Sequence, residues 1–192
     1  MTTIGVTGHR TFPDAKAVGR GVDRALKKIQ KVFAGPFQIC SCLAPGADQM
    51  VAERAMYLLK ARLVVPLPLP LPEYLLEFAP APALRLQTLL EQAAEVIHIP
   101  PQRTRSAAYE AAGQMMLGRI DVLVTIWDGL PAHGAGGTGE IAAQARLAGI
   151  PLAWIKTPDR LFDPGDQMRE GVPVWYEGFD LPASQIAERL GQ

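Results

Sequence analysis

Short, uninterrupted apolar runs restrict this chain to folds whose strands are buried on both faces. A strand with one wet face alternates apolar and polar residues, whereas these runs hold consecutive apolar residues. Between the runs, apolar residues recur at intervals of three and four, which predicts amphipathic helices. The predicted strands are Ile4–Val6, Phe37–Leu43, Leu63–Leu67, Val96–Ile99, Val122–Trp127 and Leu152–Ile155. The predicted helices cover residues 18–29, 47–59, 73–78, 86–93, 109–120 and 141–147.

The regular alternation of strand and helix predicts the architecture. Crossovers between parallel strands are right-handed, and each one covers a face of the sheet with its helix. We therefore expect an α/β fold, a three-layer Rossmann-like parallel sheet with helices on both faces. We expect a single domain over residues 1–192, with a core at about 3–156 and a C-terminal extension at 157–192.

Two segments are less regular than the rest. Pro66–Pro82 holds too many prolines for continuous helix or strand, so we expect a loop that lies over the sheet edge. A short helix around Glu73–Phe78 is expected within it. The C-terminal extension holds a candidate strand at Val174–Tyr176 and a candidate helix from Pro182 to Leu190.

The charge balance narrows the choice of partners. The chain has 19 Lys and Arg against 19 Asp and Glu, which gives a formal net charge of zero. Extended nucleic-acid binding usually needs a basic excess that neutralises phosphates, so a nucleic-acid partner is disfavoured. No apolar stretch approaches the ~20 residues of a membrane helix, and the N-terminus lacks a secretory pattern. We therefore expect a cytoplasmic protein without membrane association.

The cysteines indicate neither a disulfide nor a metal site. Cys40 and Cys42 lie two residues apart, which is unfavourable geometry for a disulfide. They also lack the clustered His or additional Cys of a zinc site. We expect reduced core thiols, no bound metal and no cofactor.

Three loops follow predicted strands and carry groups suited to ligand binding, which in open parallel sheets takes place beyond the carboxyl ends of the strands. In the first loop, Gly8 permits a sharp turn and close approach of a ligand. His9 can donate a hydrogen bond, and Arg10 can form a bidentate contact with phosphate or carboxylate. The alternative is a tight turn with a solvated arginine.

The second loop follows the second strand and leads into a helix. Gly46, Ala47 and the first helical N–H groups can cradle an anion. Asp48 can bind ribose hydroxyls or an amine, or it can simply cap the helix or interact with its dipole.

The third loop, from Asp128 to Glu140, is the richest in glycine. It has five glycines in the eleven residues from Gly129 to Gly139, and a helix of small residues follows. Crowding of backbone N–H groups around a phosphate explains such a composition better than a purely structural turn does. The predicted ligand contacts in this loop are Asp128, Gly136, Gly137, Thr138 and Gly139.

Glu140 is the candidate catalytic residue. A carboxylate at the start of a helix is stabilised by the helix dipole, so capping alone could account for it. It would also face the expected ligand pocket, where it could bind sugar hydroxyls or act as nucleophile or general base.

The order of these loops resembles the SLOG superfamily, a Rossmann-like group with lysine-decarboxylase-like phosphoribohydrolases and DprA-like proteins. The resemblance is carried by Ile4-Gly5-Val6-Thr7-Gly8-His9-Arg10, by Pro45-Gly46-Ala47-Asp48 and by Trp127-Asp128-Gly129 leading to Gly136-Gly137-Thr138-Gly139-Glu140. It implies a site for a small-molecule nucleotide or nucleotide derivative, built from the first and third loops. By analogy we also expect a homo-oligomer.

The sequence departs from the phosphoribohydrolase pattern P-G-G-x-G-T-x-x-E. Ala135 stands in place of the proline, and Ala143 stands where the motif has its glutamate. The resemblance therefore implies nucleotide binding without assigning hydrolysis. Nucleoside deoxyribosyltransferases are similar in having a glutamate that opens a helix, as Glu140-Ile141 does here.

Three functions compete on these grounds. The first is a sensor or binding module for a nucleotide derivative, and the second is an N-glycosidic-bond hydrolase or transferase that uses Glu140. The third, DNA binding, is weakened by the neutral charge.

His98 and Trp127 are expected to have structural roles. Arg103 and Arg105 are expected to be surface charges, with contact to a phosphate as the alternative, and Tyr109 is expected in the core, with stacking on a base as the alternative. His133 can either reach the site or be solvated.

Overall fold

The computed structural model describes residues 1–130, 136–157 and 172–180. Within these ranges the chain forms a sheet whose strand order is β4-β3-β2-β1-β5-β6-β7. The strands are β1 (Thr2–Gly8), β2 (Phe37–Cys40), β3 (Arg62–Leu67), β4 (Glu95–His98), β5 (Val122–Trp127), β6 (Leu152–Lys156) and β7 (Val174–Glu177). The helices are α1 (Ala15–Val32), α2 (Ala47–Leu59), α3 (Leu71–Leu75), α4 (Pro80–Glu91), α5 (Arg105–Leu117) and α6 (Thr138–Leu147).

Strand β1 lies at the centre of the sheet. It pairs in parallel with β2 on one side and with β5 on the other, so that Ile4 lies opposite both Ile39 and Val122. The chain builds outwards from β1 to β4 and then returns to the other side of β1 to add β5 and β6. Because the strand order reverses between β1 and β5, the helices after these two strands pack on opposite faces of the sheet. The carboxyl ends of β1 and β5 are therefore the topological switch point of the sheet.

Hydrophobic cores on both faces of the sheet give the three layers. On one face, Val124 of β5 packs in the same cluster as Leu26 of α1 and Leu86 of α4. On the other face, Leu123 of β5 packs with Met116 of α5. Neighbouring residues of one strand thus enter different cores, because side chains alternate across a sheet. This confirms the predicted α/β architecture with helices on both faces.

Two strands differ from the expectation of a wholly parallel, wholly buried sheet. Strand β7 pairs antiparallel with β6, with Trp154 opposite Trp175, so the sheet is mixed. Strand β4 is an edge strand, and its Val96 is 37% exposed although the apolar run predicted burial on both faces. An edge strand has only one neighbour, so part of its surface remains open to solvent.

The predicted element boundaries agree with the structure to within a few residues, with two informative exceptions. Strand β2 stops at Cys40 rather than Leu43, because Leu43 adopts a left-handed backbone with φ of 58°. Helix α4 begins at Pro80, inside the segment expected to be irregular, since proline is well tolerated in the first turn of a helix. The candidate helix Pro182–Leu190 lies outside the described residues. Within the described ranges, no helix is long and apolar enough to cross a membrane.

Leu26 tests the core on the α1 face. Its side chain is fully buried, so Leu26→Ala is expected to lower the free energy of unfolding by about 2–5 kcal/mol. The matched control is Leu147→Ala, because Leu147 is also helical but 90% exposed. Chemical denaturation of both variants measures the difference, and equal losses would contradict this placement of the core.

Candidate functional site

The loops after β1 and β5 meet at the switch point through two side chains. His9 Nε2 lies 3.0 Å from Asp128 Oδ2, and both side chains are largely buried. The same nitrogen lies 3.3 Å from the backbone N of Asp128. A single ring nitrogen cannot donate to the first and accept from the second at once. The shorter distance favours an Nε2–H that donates to the carboxylate, so His9 joins the two loops.

The loop after β2 packs directly on the loop after β1. The backbone N–H of Ala47, at the start of α2, donates to the carbonyl of His9 at 3.0 Å. Gly46 has φ of +86°, and a Cβ at this position would lie 2.4 Å from the carbonyl oxygen of Arg10. Only glycine suits both the backbone angle and the space. The first N–H group of α2 thus binds a carbonyl of the neighbouring loop. The prediction that this helix start binds an anion did not include that contact.

Asp48 is buried in the first turn of α2 and is not its N-cap, a position held by Gly46. Removal from water raises the pKa of the Asp48 carboxyl from 3.8 to about 7. Hydrogen bonds from the backbone of Ala44 and from Ser41, and the positive charge of Arg10, act in the opposite direction. A buried carboxyl whose pKa is raised toward neutral pH at a sheet edge is typical of functional sites.

The described part of the glycine-rich loop leads into α6. Gly137 is the N-cap residue and makes no side-chain capping bond, while Thr138 and Gly139 form the first turn. Glu140 accepts a hydrogen bond from the backbone N–H of Gly136 at 2.7 Å. This contact is close to a capping box, in which a carboxylate in the first turn reaches back to an N–H before the helix. The structure thus gives Glu140 a loop-stabilising contact.

A second hydrogen bond holds the other oxygen of the Glu140 carboxylate. Gln144 Nε2, one helical turn further on, donates to Glu140 Oε1 at 3.3 Å. Both carboxylate oxygens therefore have partners within α6 and the loop before it.

The Pro66–Pro82 segment contacts the loop after β2 and the first turn of α2, at the carboxyl edge of the sheet. Tyr74 is fully buried, and its hydroxyl donates to the carbonyl of Cys42, just beyond β2. Gln49 of α2 donates to the carbonyl of Pro82 at 3.0 Å and so attaches the other end of the segment.

Glu77, in this segment, has a carboxylate that contacts positively charged side chains at the carboxyl edge of the sheet. Its carboxylate accepts from Arg105 Nη1 at 2.8 Å and lies 3.7 Å from Arg10 Nη2. The hydroxyl of Tyr109 donates to the same carboxylate. Sequence reasoning did not select Glu77, because nothing local distinguishes it from other surface glutamates. The sequence indicated only that the Pro66–Pro82 segment is irregular and that the first loop is basic. That the two contact each other depends on the fold.

Tyr109 connects this cluster to the glycine-rich loop. Burial and the hydrogen bond to Glu77 raise the pKa of the Tyr109 phenol, which therefore stays protonated as a donor. Gly136 packs on the backbone of α5, where an added Cβ would lie 3.1 Å from the N of Glu110 and 3.4 Å from the carbonyl carbon of Tyr109. The first turns of α5 thus contact both Glu77 and the third loop.

Several other side chains lie away from these contacts. His98 ends the exposed edge strand β4, and Trp127 is buried against Trp154, as expected for a structural role. Both cysteines are free, and burial raises the pKa of the Cys40 thiol to about 12, so it stays protonated. His133 lies outside the described residues.

A groove of about 610 Å³ lies between α2 and α4 and is lined by Tyr57, Leu84 and Arg85 among others. It contains none of the loop residues considered above. Concavity alone therefore does not identify the candidate site, which we assign on the convergence of ionisable groups and glycine backbone at the sheet edge. Across the described residues, no group of three or more His, Cys, Asp or Glu is arranged to hold a metal ion.

Comparison with known proteins finds a likeness in fold. No protein-family model matches the sequence, and no curated protein matches it either. Among solved structures, DNA processing protein A (DprA) from Streptococcus pneumoniae matches with a TM-score of 0.58 and 17% identity. The match covers 85% of this chain and 52% of that one, so the chain spans about half the length of the solved protein. At this identity the likeness shows a shared fold and no more.

The likeness leaves the choice of ligand open. A Rossmann-like fold serves many functions, and ligand identity must be argued from the site. The solved relative is described as a DNA processing protein. The prediction that nucleic acid is disfavoured here rested on net charge and is not supported by this comparison.

Because of the raised pKa of Asp48, the free energy of unfolding depends on pH. Its carboxyl has a pKa of about 7 when folded and 3.8 ordinarily, so the folded state holds the proton more tightly. The resulting stabilisation is fully present below the lower pKa and is lost as the pH rises through 7. Linkage gives a loss of about 3 kcal/mol between pH 4.5 and 8.

Asp48→Asn removes this ionisation. Between pH 4.5 and pH 8 the wild type is expected to lose about 3 kcal/mol of unfolding free energy relative to the variant, because only the wild type has the ionisable carboxyl. Denaturation curves at both pH values provide the measurement. A difference that is constant with pH would mean that Asp48 titrates normally in the folded protein.

Proposed function

We propose that this protein binds a nucleotide or nucleotide derivative at the switch-point edge of its sheet, as a sensor or binding module. The observation that carries the proposal is the start of α6, where the glycine-rich loop ends on Gly137 without a side-chain cap. Backbone N–H groups at such a helix start attract phosphate through hydrogen bonds and the helix dipole.

Cationic side chains near the same edge support the proposal. The side chains of Arg10 and Arg105 are 50% and 57% exposed, so both can reach a ligand. A guanidinium group can donate two parallel hydrogen bonds to two oxygens of a phosphate, so its binding is specific in geometry as well as favourable in charge. The link between His9 and Asp128 holds the loop that carries Arg10 against β5.

A thermal-shift experiment with AMP, ADP and ADP-ribose tests the binding function. A ligand at a hundred times its Kd adds about 2.7 kcal/mol of stability, which raises Tm by roughly 5–10 °C in a chain of this size. Gly137→Val is expected to remove this shift. Its side chain would stand at the N–H groups of α6, while the extended backbone of Gly137, with φ of −72° and ψ of 159°, accepts valine.

The matched control is Gly118→Val, because Gly118 is exposed at the end of α5 and an added Cβ would meet only ordinary contacts. It should retain the full ligand shift. A shift that survives in Gly137→Val would place the site elsewhere. A shift with single-stranded DNA and with no nucleotide would replace the proposal by nucleic-acid binding.

The alternative function is an N-glycosidic-bond enzyme with Glu140 as its carboxylate. Such chemistry needs a carboxylate beside the anomeric carbon to stabilise positive charge. Glu140 is half-buried at the start of α6, next to the proposed phosphate position. A catalytic role would require a ligand to approach a carboxylate that is already hydrogen-bonded to Gly136 and Gln144.

Release of free base from AMP, followed by chromatography, distinguishes this alternative from the sensor. If the enzyme function holds, Glu140→Gln abolishes release and keeps binding, because the amide oxygen can still accept from the N–H of Gly136. Glu91→Gln, at an exposed position of α4, serves as the control. Binding of intact AMP without release by the wild type would favour the sensor.

A further inference from the structure

Three donors converge on one carboxylate at the sheet edge. Arg105 contacts Glu77 Oε1 at 2.8 Å, while Arg10 lies 3.7 Å from Oε2 and the Tyr109 hydroxyl donates to that same oxygen. The donors come from the loop after β1 and from α5, and the acceptor comes from the Pro-rich segment. The Glu77 side chain is only 16% exposed, so this carboxylate is largely enclosed by its partners.

Charge in this cluster is unbalanced. Two guanidinium groups face the Glu77 carboxylate. Asp48 also interacts with Arg10, but burial raises the pKa of its carboxyl to about 7, so it offsets this positive charge only in part near neutral pH. A phosphate group presents the same kind of oxygen acceptor as a carboxylate, and it carries more negative charge and more oxygens. The donors around Glu77 would therefore fit a phosphate group better than they fit the carboxylate.

The cluster is also next to the proposed nucleotide site. Arg10 directly follows His9, which contacts Asp128 at the switch point. Tyr109 belongs to the stretch of α5 on which Gly136 packs. A ligand that extends from the glycine-rich loop across the first turns of α5 would bring a phosphate to these donors.

We propose that Arg10, Arg105 and Tyr109 form a phosphate subsite, and that Glu77 occupies it in this structure as an internal competitor. The inference rests on the proposed nucleotide function and deepens it. A ligand phosphate must displace the Glu77 carboxylate. The observed affinity therefore depends on how much more tightly the same donors bind the phosphate than they bind the carboxylate. The Pro-rich segment keeps independent attachments through Tyr74 and Gln49 when that contact is broken.

Glu77→Gln tests the competition. The amide keeps the size of the side chain and removes its negative charge, so a phosphate-bearing ligand should bind about tenfold more tightly, a gain of about 1.4 kcal/mol. Glu73→Gln is the matched control, because Glu73 lies in α3 of the same segment and is exposed. It should bind as the wild type does. Calorimetric titration with inorganic pyrophosphate and with ADP provides both affinities.

Arg105→Gln supplies a second variant with the opposite expectation. It removes a donor from the subsite, and its exposed side chain makes misfolding of the variant a small concern. Binding of pyrophosphate and ADP should weaken about tenfold. If Glu77 only fastens the segment, Glu77→Gln lowers Tm without tightening either ligand, and that result overturns the inference.

The outcomes separate the two proposals. If ADP binds the wild type but its affinity does not change in Glu77→Gln and Arg105→Gln, the subsite is wrong and the nucleotide function stands. If pyrophosphate binds Glu77→Gln in a manner that depends on Arg105 while no nucleotide binds, the subsite stands and the nucleotide function is wrong. No binding of either ligand by any variant overturns both.

Discussion

The parallel pairing of β1 with β5 is the contact on which the rest of the architecture depends. Strand β5 is buried along its whole length, so its backbone N–H and C=O groups must bond to neighbouring strands. The register runs from Ile4 opposite Val122 to Gly8 opposite Ile126. Since both strands end at the same edge, their loops are brought together there. The strand order therefore determines where the candidate site lies, and the side chains of the loops determine what it can bind.

Close backbone packing then fixes these loops in place. A Cβ at Gly8 would lie 2.5 Å from that of Ala47 and 2.6 Å from the carbonyl oxygen of Ile126, so the end of β1 tolerates no side chain. The carbonyl of His9 binds the first N–H of α2, and its ring reaches Asp128. The loops after β1, β2 and β5 therefore support one another. Such a scaffold can present Arg10 in a fixed position, which reduces the entropy lost when a ligand binds.

Sequence patterns predicted the layers and most element positions because burial and helical spacing are local signals. Non-local pairing was harder to foresee. Val96 and its neighbours are apolar enough for a central strand, and only the strand order places β4 at an edge. Nothing in the sequence around Val174 reveals that β7 runs antiparallel.

The candidate site shows the same division. Glycines and charged residues after the strands marked the loops, because parallel strands place their carboxyl ends at one edge. The partners of those residues were not predictable. Glu77 meets Arg10 and Arg105 only after the Pro-rich segment folds over the sheet. Likewise, the N–H of Ala47 is bound by a carbonyl from another loop.

Amide chemical-shift mapping during titration with ADP-ribose locates the bound nucleotide without assuming a site. Binding at the switch-point edge is expected to give the largest changes on Gly136–Glu140 and on His9 and Arg10. Changes centred on Tyr57 and Leu84, in the groove between α2 and α4, would contradict it. So would the absence of any change at saturating ligand.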